Sequence, residues 1–302
     1  MKSYVAIKLG VFNRLNEAWN LYFLHTRKLK ETVAGMLSQA RETEAKIGSI
    51  LGKPVNRLNM LELGPGQQLV QLAYFAPKNE VVGIDLDVID QYLTFSGCIR
   101  MVRQNGWMRT AKTVLRTVAG IDSKMRSEVV SQLGLETMPK LRVLQMDATK
   151  TSFESNQFDV VYSRAVFEHL PDPGAVLTEM ARVLKPGGVL LVTLHLYTSD
   201  SGCHDTRIFA GDRKELPFWA HLRKEYRHEV RPNSYLNEFS LSTWRSVFEE
   251  SLPGSEVSAL FDAKPEEHLE LKKLRTEKQL EEFSDEELLT VTVDACWRKP
   301  LS

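Results

Sequence analysis

Between Leu58 and Asp85 the chain runs through an apolar segment, a glycine turn, a helical stretch and a second apolar segment, a succession that admits few folds. Leu58-Asn59-Met60-Leu61-Glu62-Leu63 reads as a short strand and Gly64-Pro65-Gly66 as a tight turn. Leu69, Leu72 and Phe75 mark a helix, and Val81-Val82-Gly83-Ile84-Asp85 a second strand that ends on an acid. This is a βαβ unit, in which a helix returns the chain so that two strands can lie parallel. The pattern resumes at Leu141–Asp147 and Phe158–Ser163. Val189-Leu190-Leu191-Val192-Thr193-Leu194 is an unbroken apolar run, suited to a strand covered on both faces. Before it, Asp172-Pro173 offers a helix cap, and Val176, Leu177, Met180, Val183 and Leu184 give that helix one apolar face. Pro186-Gly187-Gly188 is expected to end the helix, and Leu288 to Trp297 to form a last strand. The expected fold is α/β, a Rossmann-like, doubly wound, mostly parallel sheet.

Two flanking regions depart from this period. Val5 to Ile50 reads as helical, with Phe12, Leu15, Trp19 and Phe23 spaced by three and four, until Gly52-Lys53-Pro54 breaks the pattern. The expected organisation is therefore an N-terminal helical cap over 1–55 and a ligand-binding domain over 56–302, with insertions near 97–135 and 197–245. The acidic stretch Glu266 to Glu287 reads as a surface helix. Lysine plus arginine and aspartate plus glutamate both total 39, so the net charge is zero and nucleic acid is not an expected partner. Three scattered cysteines, Cys98, Cys203 and Cys296, suggest free thiols, and no apolar run reaches membrane-spanning length. A cytoplasmic location is the default expectation.

In such sheets a ligand sits outside the carboxyl ends of the strands, where the first glycine turn admits a close backbone approach. Asp85 lies 19 residues beyond Gly66, close to the roughly 20 expected of a carboxylate that binds ribose hydroxyls. Together these features point to a nucleoside-containing cofactor. A dinucleotide would need a third glycine where this chain has Leu69, with Gln67 and Gln68 before it. Glu62 would repel a pyrophosphate yet suits a cationic ligand such as S-adenosylmethionine, with its sulfonium and ammonium. A nicotinamide-dependent oxidoreductase and a binding module without turnover are the alternatives.

At these residues the sequence resembles the class I S-adenosylmethionine-dependent methyltransferases, in particular the type 11 group, over roughly residues 57 to 196. The motifs are Leu61-Glu62-Leu63-Gly64-Pro65-Gly66, Gly83-Ile84-Asp85, Gln145-Met146-Asp147-Ala148, Phe158 to Leu170, and Arg182-Val183-Leu184-Lys185-Pro186-Gly187-Gly188. The resemblance implies that Glu62, Gly64 and Gly66 hold the methionine end and Asp85 the ribose. It places Asp147 on the adenine amino group with Ala148 beside it, and Ser163 and Arg164 facing the methyl group. Many members of the group carry a third glycine where this chain has Gln68. Asp147 also lies 62 residues after Asp85, about twice a compact βαβ step, so a helical insertion must intervene.

Methyl transfer needs an aligned nucleophile and, for a hydroxyl or ammonium, a proton acceptor; oxygen is the expected acceptor atom, with nitrogen or carbon as alternatives. His169, just past the fourth strand, and His195, at the end of the next, are the candidate catalytic bases. Tyr197, His204, Asp205 and Arg207, in the polar loop that follows, are candidate contacts for a small-molecule or glycan acceptor. His195, Cys203, His204 and Asp205 offer no close pair with metal-ligand spacing, so no metal is expected. The insertion carries Arg100, Arg103, Arg109, Lys112, Arg116, Lys124 and Arg126 interleaved with Trp107, Met108, Val114, Leu115 and Val118. Such a basic amphipathic face can rest on an anionic membrane surface, steer an acidic substrate or simply be solvated.

Overall fold

The computed structural model describes residues 28–209 and 216–301. The first half of the expected N-terminal helix lies outside them. Seven strands form one sheet in the order β3-β2-β1-β4-β5-β7-β6. They are β1 Asn59–Leu63, β2 Glu80–Asp85, β3 Arg142–Gln145, β4 Phe158–Arg164, β5 Leu184–His195, β6 Glu256–Leu260 and β7 Thr292–Arg298. β1 pairs in parallel with β2 and β4, and β2 with β3, whereas β6 and β7 are antiparallel. By contact the chain divides into two compact units interleaved in sequence.

One unit holds the described residues up to Ser163, together with Glu179–Leu191 and the chain's end. Its helices are α1 Leu29–Leu51, α2 Val70–Phe75, α3 Phe95–Gln104, α4 Trp107–Val118 and α5 Ile121–Leu133. On α1, Val33, Leu37, Ala40 and Ile47 are fully buried, and their spacing by three, four and seven puts them on one helical face. Val33 and Leu37 pack with Val70 and Ala73 of α2 and Met125 and Val129 of α5. Burying Leu37 contributes roughly 2 kcal/mol, so α1 is tied to this unit by its core. Gly52 ends α1 in the left-handed conformation, donating its N–H to the Gly48 carbonyl.

The stretch between Asp85 and β3 is the three helices α3, α4 and α5, separated by Gly106 and Gly120 at positive φ. Thr94 caps α3 by accepting the Gly97 N–H. Asn105 clamps the loop after β2, accepting from the Val88 N–H and donating to its carbonyl.

The second unit comprises Arg164–Thr178 and Val192–Trp297. It contains α7 Thr206–Phe209, a single turn, followed by α8 Leu241–Ser251, α9 Pro265–Thr276 and α10 Asp285–Leu289, while α6 Pro173–Val183 begins in it. Asp172 caps α6, accepting the Ala175 N–H at 2.9 Å. Trp219, Leu271, Leu274, Leu280, Leu288 and Leu289 form one core, and Cys203, Ile208, Leu216, Ala220 and Val230 another. All three cysteines are free thiols.

Three expectations are corrected. Pro186-Gly187-Gly188 is not a turn after the helix but part of β5. The Gly187 N–H donates to the Lys299 carbonyl and the Lys299 N–H to that of Gly188, so both glycines sit in a ladder. Leu288 and Leu289 belong to α10, not to the last strand, because Ser284 caps a helix there by accepting the Glu287 N–H at 3.1 Å. The acidic stretch is two helices, α9 and α10, and the connection between them takes positive φ at Lys278 and Leu280.

Candidate active site

The register of the parallel strands lines up the residues expected to hold a cofactor. Leu63 is paired with Ile84 on one side and Ser163 on the other, and Asp85 with Gln145. Gly64, Asp85 and the Met146-Asp147-Ala148 segment therefore leave their strands at neighbouring carboxyl ends. The Gly64 N–H donates to the Ile84 carbonyl and the Met146 N–H to that of Asp85. Gly64 and Gly66 both take positive φ, 68° and 62°, a conformation that costs glycine nothing. A Cβ at Gly83 would lie 2.9 Å from the Pro65 ring, so the glycine of β2 makes room for the turn. Leu69, where a dinucleotide fold needs its third glycine, is also left-handed at φ 56°. Its side chain is almost completely buried, and that burial offsets a strain of about 1–2 kcal/mol.

Glu62 sits inside β1 at 4% exposure. Tyr162, its neighbour on β4, donates its hydroxyl to Glu62 Oε2 at 3.0 Å. Burial pushes the Glu62 carboxyl up to about 8, with the Tyr162 hydrogen bond acting in the opposite direction. Asp85 is half-buried, and burial raises its pKa as well. Its Oδ1 accepts the Asp87 N–H at 2.9 Å. Asp147 is exposed and held below its usual value by the Thr149 backbone N–H and hydroxyl, both of which donate to Oδ1. Ala148 is buried. Ser163 is buried and donates its hydroxyl to the Leu63 carbonyl at 3.1 Å, a tie between β4 and β1. The helical insertion reaches this edge twice: Arg109 pairs with Asp87 at 2.5 Å, and the Thr113 hydroxyl donates to Gln67 Oε1 at 3.4 Å.

The second unit gathers a histidine cluster that the sequence did not reveal. His169 closes a 3₁₀ turn, Phe167–His169, after β4; His195 ends β5; His204 lies in the loop beyond. The His169 and His204 rings meet edge to face at 4.9 Å, and His195 Nδ1 lies 3.1 Å from His204 Nε2. His195 Nε2 is 2.9 Å from the Ser201 hydroxyl, so both its ring nitrogens are engaged. His169 Nδ1 lies 2.7 Å from the Tyr235 carbonyl. A carbonyl only accepts, so in the neutral ring Nδ1 carries the hydrogen and Nε2 presents a lone pair. Burial pushes His195 down to about 4, and burial followed by its two neighbouring histidines pushes His204 down to about 3. Both are neutral imidazoles at pH 7.

Beside them Glu168 is 2% exposed, and burial lifts its carboxyl to about 7. One of its oxygens accepts the His195 backbone N–H at 3.3 Å, while Oε2 has no hydrogen-bond partner. Glu168, His169 and His204 each bring a potential ligand atom within 4.8 Å of the other two. In the sequence only Glu168 and His169 are neighbours, and His204 joins them from the loop beyond β5.

The remaining acceptor candidates divide. Asp205 is buried, and although burial alone would raise its pKa, Arg207 and the Arg231 N–H hold it low. Its two oxygens take Arg207 Nε at 3.0 Å and Nη2 at 2.8 Å. This bidentate pair, together with the Arg231 contact, latches the loop. Tyr197 is half-buried, with its carbonyl accepting from His221 Nε2 at 2.8 Å. Of the four, only His204 joins the other histidines.

The profile of the family described as "Methyltransferase domain" matches residues 97–192. The strand order and the aligned strand ends fit the same domain. The chain carries a class I methyltransferase domain, of the S-adenosylmethionine-dependent kind. The profile match takes in the β3 to β5 motifs, while the glycine turn and Asp85 of the methyltransferase domain precede it. Among curated relatives, the phosphatidylethanolamine N-methyltransferase of Cereibacter sphaeroides is 37% identical over 75 residues, which are 25% of this chain and 36% of that protein. A ubiquinone biosynthesis O-methyltransferase of Pseudomonas putida is 33% identical over 119 residues, 38% of this chain and 51% of the relative. Phosphoethanolamine N-methyltransferase 2 of Caenorhabditis elegans is 35% identical over 80 residues, 26% of this chain and 18% of the relative. The chain thus spans between about a fifth and a half of the length of these proteins.

Proposed function

We propose that the chain transfers the methyl group of S-adenosylmethionine to a hydroxyl oxygen of a small molecule, a glycan or a lipid-linked sugar. The observation that carries the cofactor half is the alignment of Gly64, Asp85 and Asp147 at neighbouring strand ends. In-line displacement at the sulfonium carbon needs an aligned acceptor and somewhere for its proton to go. His169 Nε2 is the lone pair suited to that proton, and its ring is oriented by the Tyr235 carbonyl. His195 acts through His204 as a positioning residue. Asp205 and Arg207 fix the loop that carries His204. A cytosolic setting fits the three free thiols.

The test is transfer of label from tritiated-methyl S-adenosylmethionine to a fractionated cell extract, with the labelled product identified by mass spectrometry. An O-methyl product supports the reading; no label above a heat-inactivated control would overturn it. An N-methyl product would favour a second reading, supported by two of the three relatives being N-methyltransferases. His169→Ala should lower kcat by about 10²–10⁴ while leaving the cofactor Kd within a factor of about three. Unaltered turnover would remove His169 as the base.

The same proposal has the chain make peripheral contact with an anionic phospholipid surface. Phe95, Ile99 and Val102 line one face of α3 at 85%, 40% and 48% exposure, and on α4 Trp107 and Val118 are 65% and 79% exposed. From 95 to 118 the chain carries five basic residues and no acidic one, the composition of an interfacial helix pair. No helix among the described residues is long and apolar enough to cross a membrane. The chain should co-sediment with phosphatidylglycerol-containing vesicles and not with phosphatidylcholine alone. Phe95→Ser with Trp107→Ser should cut that partitioning at least tenfold, at about 1.4 kcal/mol per tenfold change. Equal sedimentation of variant and wild type would leave the face with no part in it.

A further inference from the structure

Glu168 presents an electrostatic problem that the transfer reaction does not use. Its side chain is 2% exposed, its Oε2 has no partner, and no lysine or arginine among the described residues is paired with it. A buried carboxylate oxygen left unsatisfied costs about 1–3 kcal/mol or more, and native structures keep such groups for a reason. A ring nitrogen of His169 and one of His204 lie within 4.8 Å of a Glu168 carboxylate oxygen.

We infer that Glu168, His169 and His204 form a binding site for a divalent transition-metal ion, of which zinc is the representative. The three ligand atoms already lie within 4.8 Å of one another. A tetrahedral ion with bonds of about 2.0–2.1 Å sets its ligands roughly 3.4 Å apart, so the cluster closes by little more than about 1 Å. His169 is only partly buried and lies in a single 3₁₀ turn, where a small rotation is available. Two imidazole nitrogens and one carboxylate form a borderline donor set that suits zinc, cobalt or nickel rather than magnesium or calcium. Three protein ligands also leave a fourth position open to water or a ligand oxygen. The supporting hydrogen bonds are in place as well. His169 Nδ1 donates to the Tyr235 carbonyl, which leaves the Nε2 lone pair as the one available to an ion, and the His204 ring is braced by His195. The ion would satisfy Glu168 Oε2 and balance its charge.

Proton and cation would use the same lone pair of His169, so the two uses of the site exclude one another at any moment. The site's existence does not rest on the methyl-transfer reading, and its test reads binding rather than turnover. The full chain, stripped with chelator, is titrated with Zn²⁺ by calorimetry and separately with Co²⁺ by visible absorption. One equivalent of Zn²⁺ is expected, with at least tenfold weaker binding in Glu168→Gln and in His204→Ala and unchanged binding in Cys98→Ser and Cys296→Ser. The Co²⁺ spectrum of the wild type, which needs no variant to fold, should lack the intense near-ultraviolet thiolate band. Absence of stoichiometric uptake, uptake indifferent to Glu168 and His204, or a thiolate band would each overturn the assignment.

Discussion

Between pH 6 and 7.5 the affinity for S-adenosylmethionine should rise roughly 20-fold, with close to one proton released per cofactor bound near neutrality. The cause is Glu62. Burial holds its carboxyl at about 8 before binding, so at pH 7 about nine-tenths of the molecules carry it protonated. A cation beside it favours the carboxylate, and binding must expel the proton. Below the free-state pKa, the association constant then gains close to tenfold per pH unit. The cofactor's own amino group, near the ordinary α-amino value of about 7.7–8.0, stays largely protonated through this window. Calorimetry in buffers of different ionisation enthalpy reads the released proton directly. Glu62→Gln keeps the Tyr162 hydrogen bond, cannot ionise, and should flatten the profile. A wild-type affinity that does not vary with pH would separate Glu62 from the cofactor.

The same carboxyl predicts the direction of stability without ligand. Its folded-state pKa is raised above the unfolded value of about 4.5, so the folded chain holds the extra proton between those values. Glu62 therefore costs stability progressively as pH rises from about 4.5 through 8. At pH 7 the cost is on the order of 3 kcal/mol, and Glu62→Gln should melt several degrees higher than wild type there and near equally at pH 5. A lower melting temperature at both pH values would contradict this.

Asp85→Ala should raise the cofactor dissociation constant about 30- to 1000-fold, a loss of roughly 2–4 kcal/mol from charge-assisted hydrogen bonds to ribose hydroxyls. Asp85 ends β2 where Ile84 is paired with Leu63, one residue short of the glycine turn. Its Oδ1 is committed to the Asp87 N–H, and Asp87 is itself held by Arg109. The alanine variant thus also loosens this turn, and Asp85→Asn, which keeps the shape without the charge, separates the two effects. The asparagine variant should still lose about tenfold. Unchanged calorimetric affinity in both would take the carboxylate out of the ribose site.

The candidate cofactor residues on β1 to β4 were legible because each residue there is dictated by its neighbour in the chain. A strand that must turn back sharply needs Gly64 and Gly66 at positive φ, and the parallel register then carries Asp85 and Asp147 to the same edge. Leu69 marks a departure from a dinucleotide site, and its left-handed backbone at φ 56° was not legible, since no local pattern calls for a leucine there. The histidine cluster of the second unit was legible only as separate candidates, since Glu168-His169 and His204 meet only after β5 and its loop have folded. No local pattern records that Glu168 Oε2 is left without a donor. Pro186-Gly187-Gly188 misled for the opposite reason. Its composition signals a turn, but pairing with Lys299 places it in a strand.

The central claim is that the bend at Gly64-Pro65-Gly66 and the carboxylates of Glu62 and Asp85 receive S-adenosylmethionine. The most direct measurement is a calorimetric titration of the purified chain with that compound at pH 7.5, alongside NADH. One equivalent of S-adenosylmethionine bound with a micromolar dissociation constant, and none of NADH, is the expected result. No heat and no rise in melting temperature at millimolar S-adenosylmethionine would contradict it, as would binding of NADH in its place.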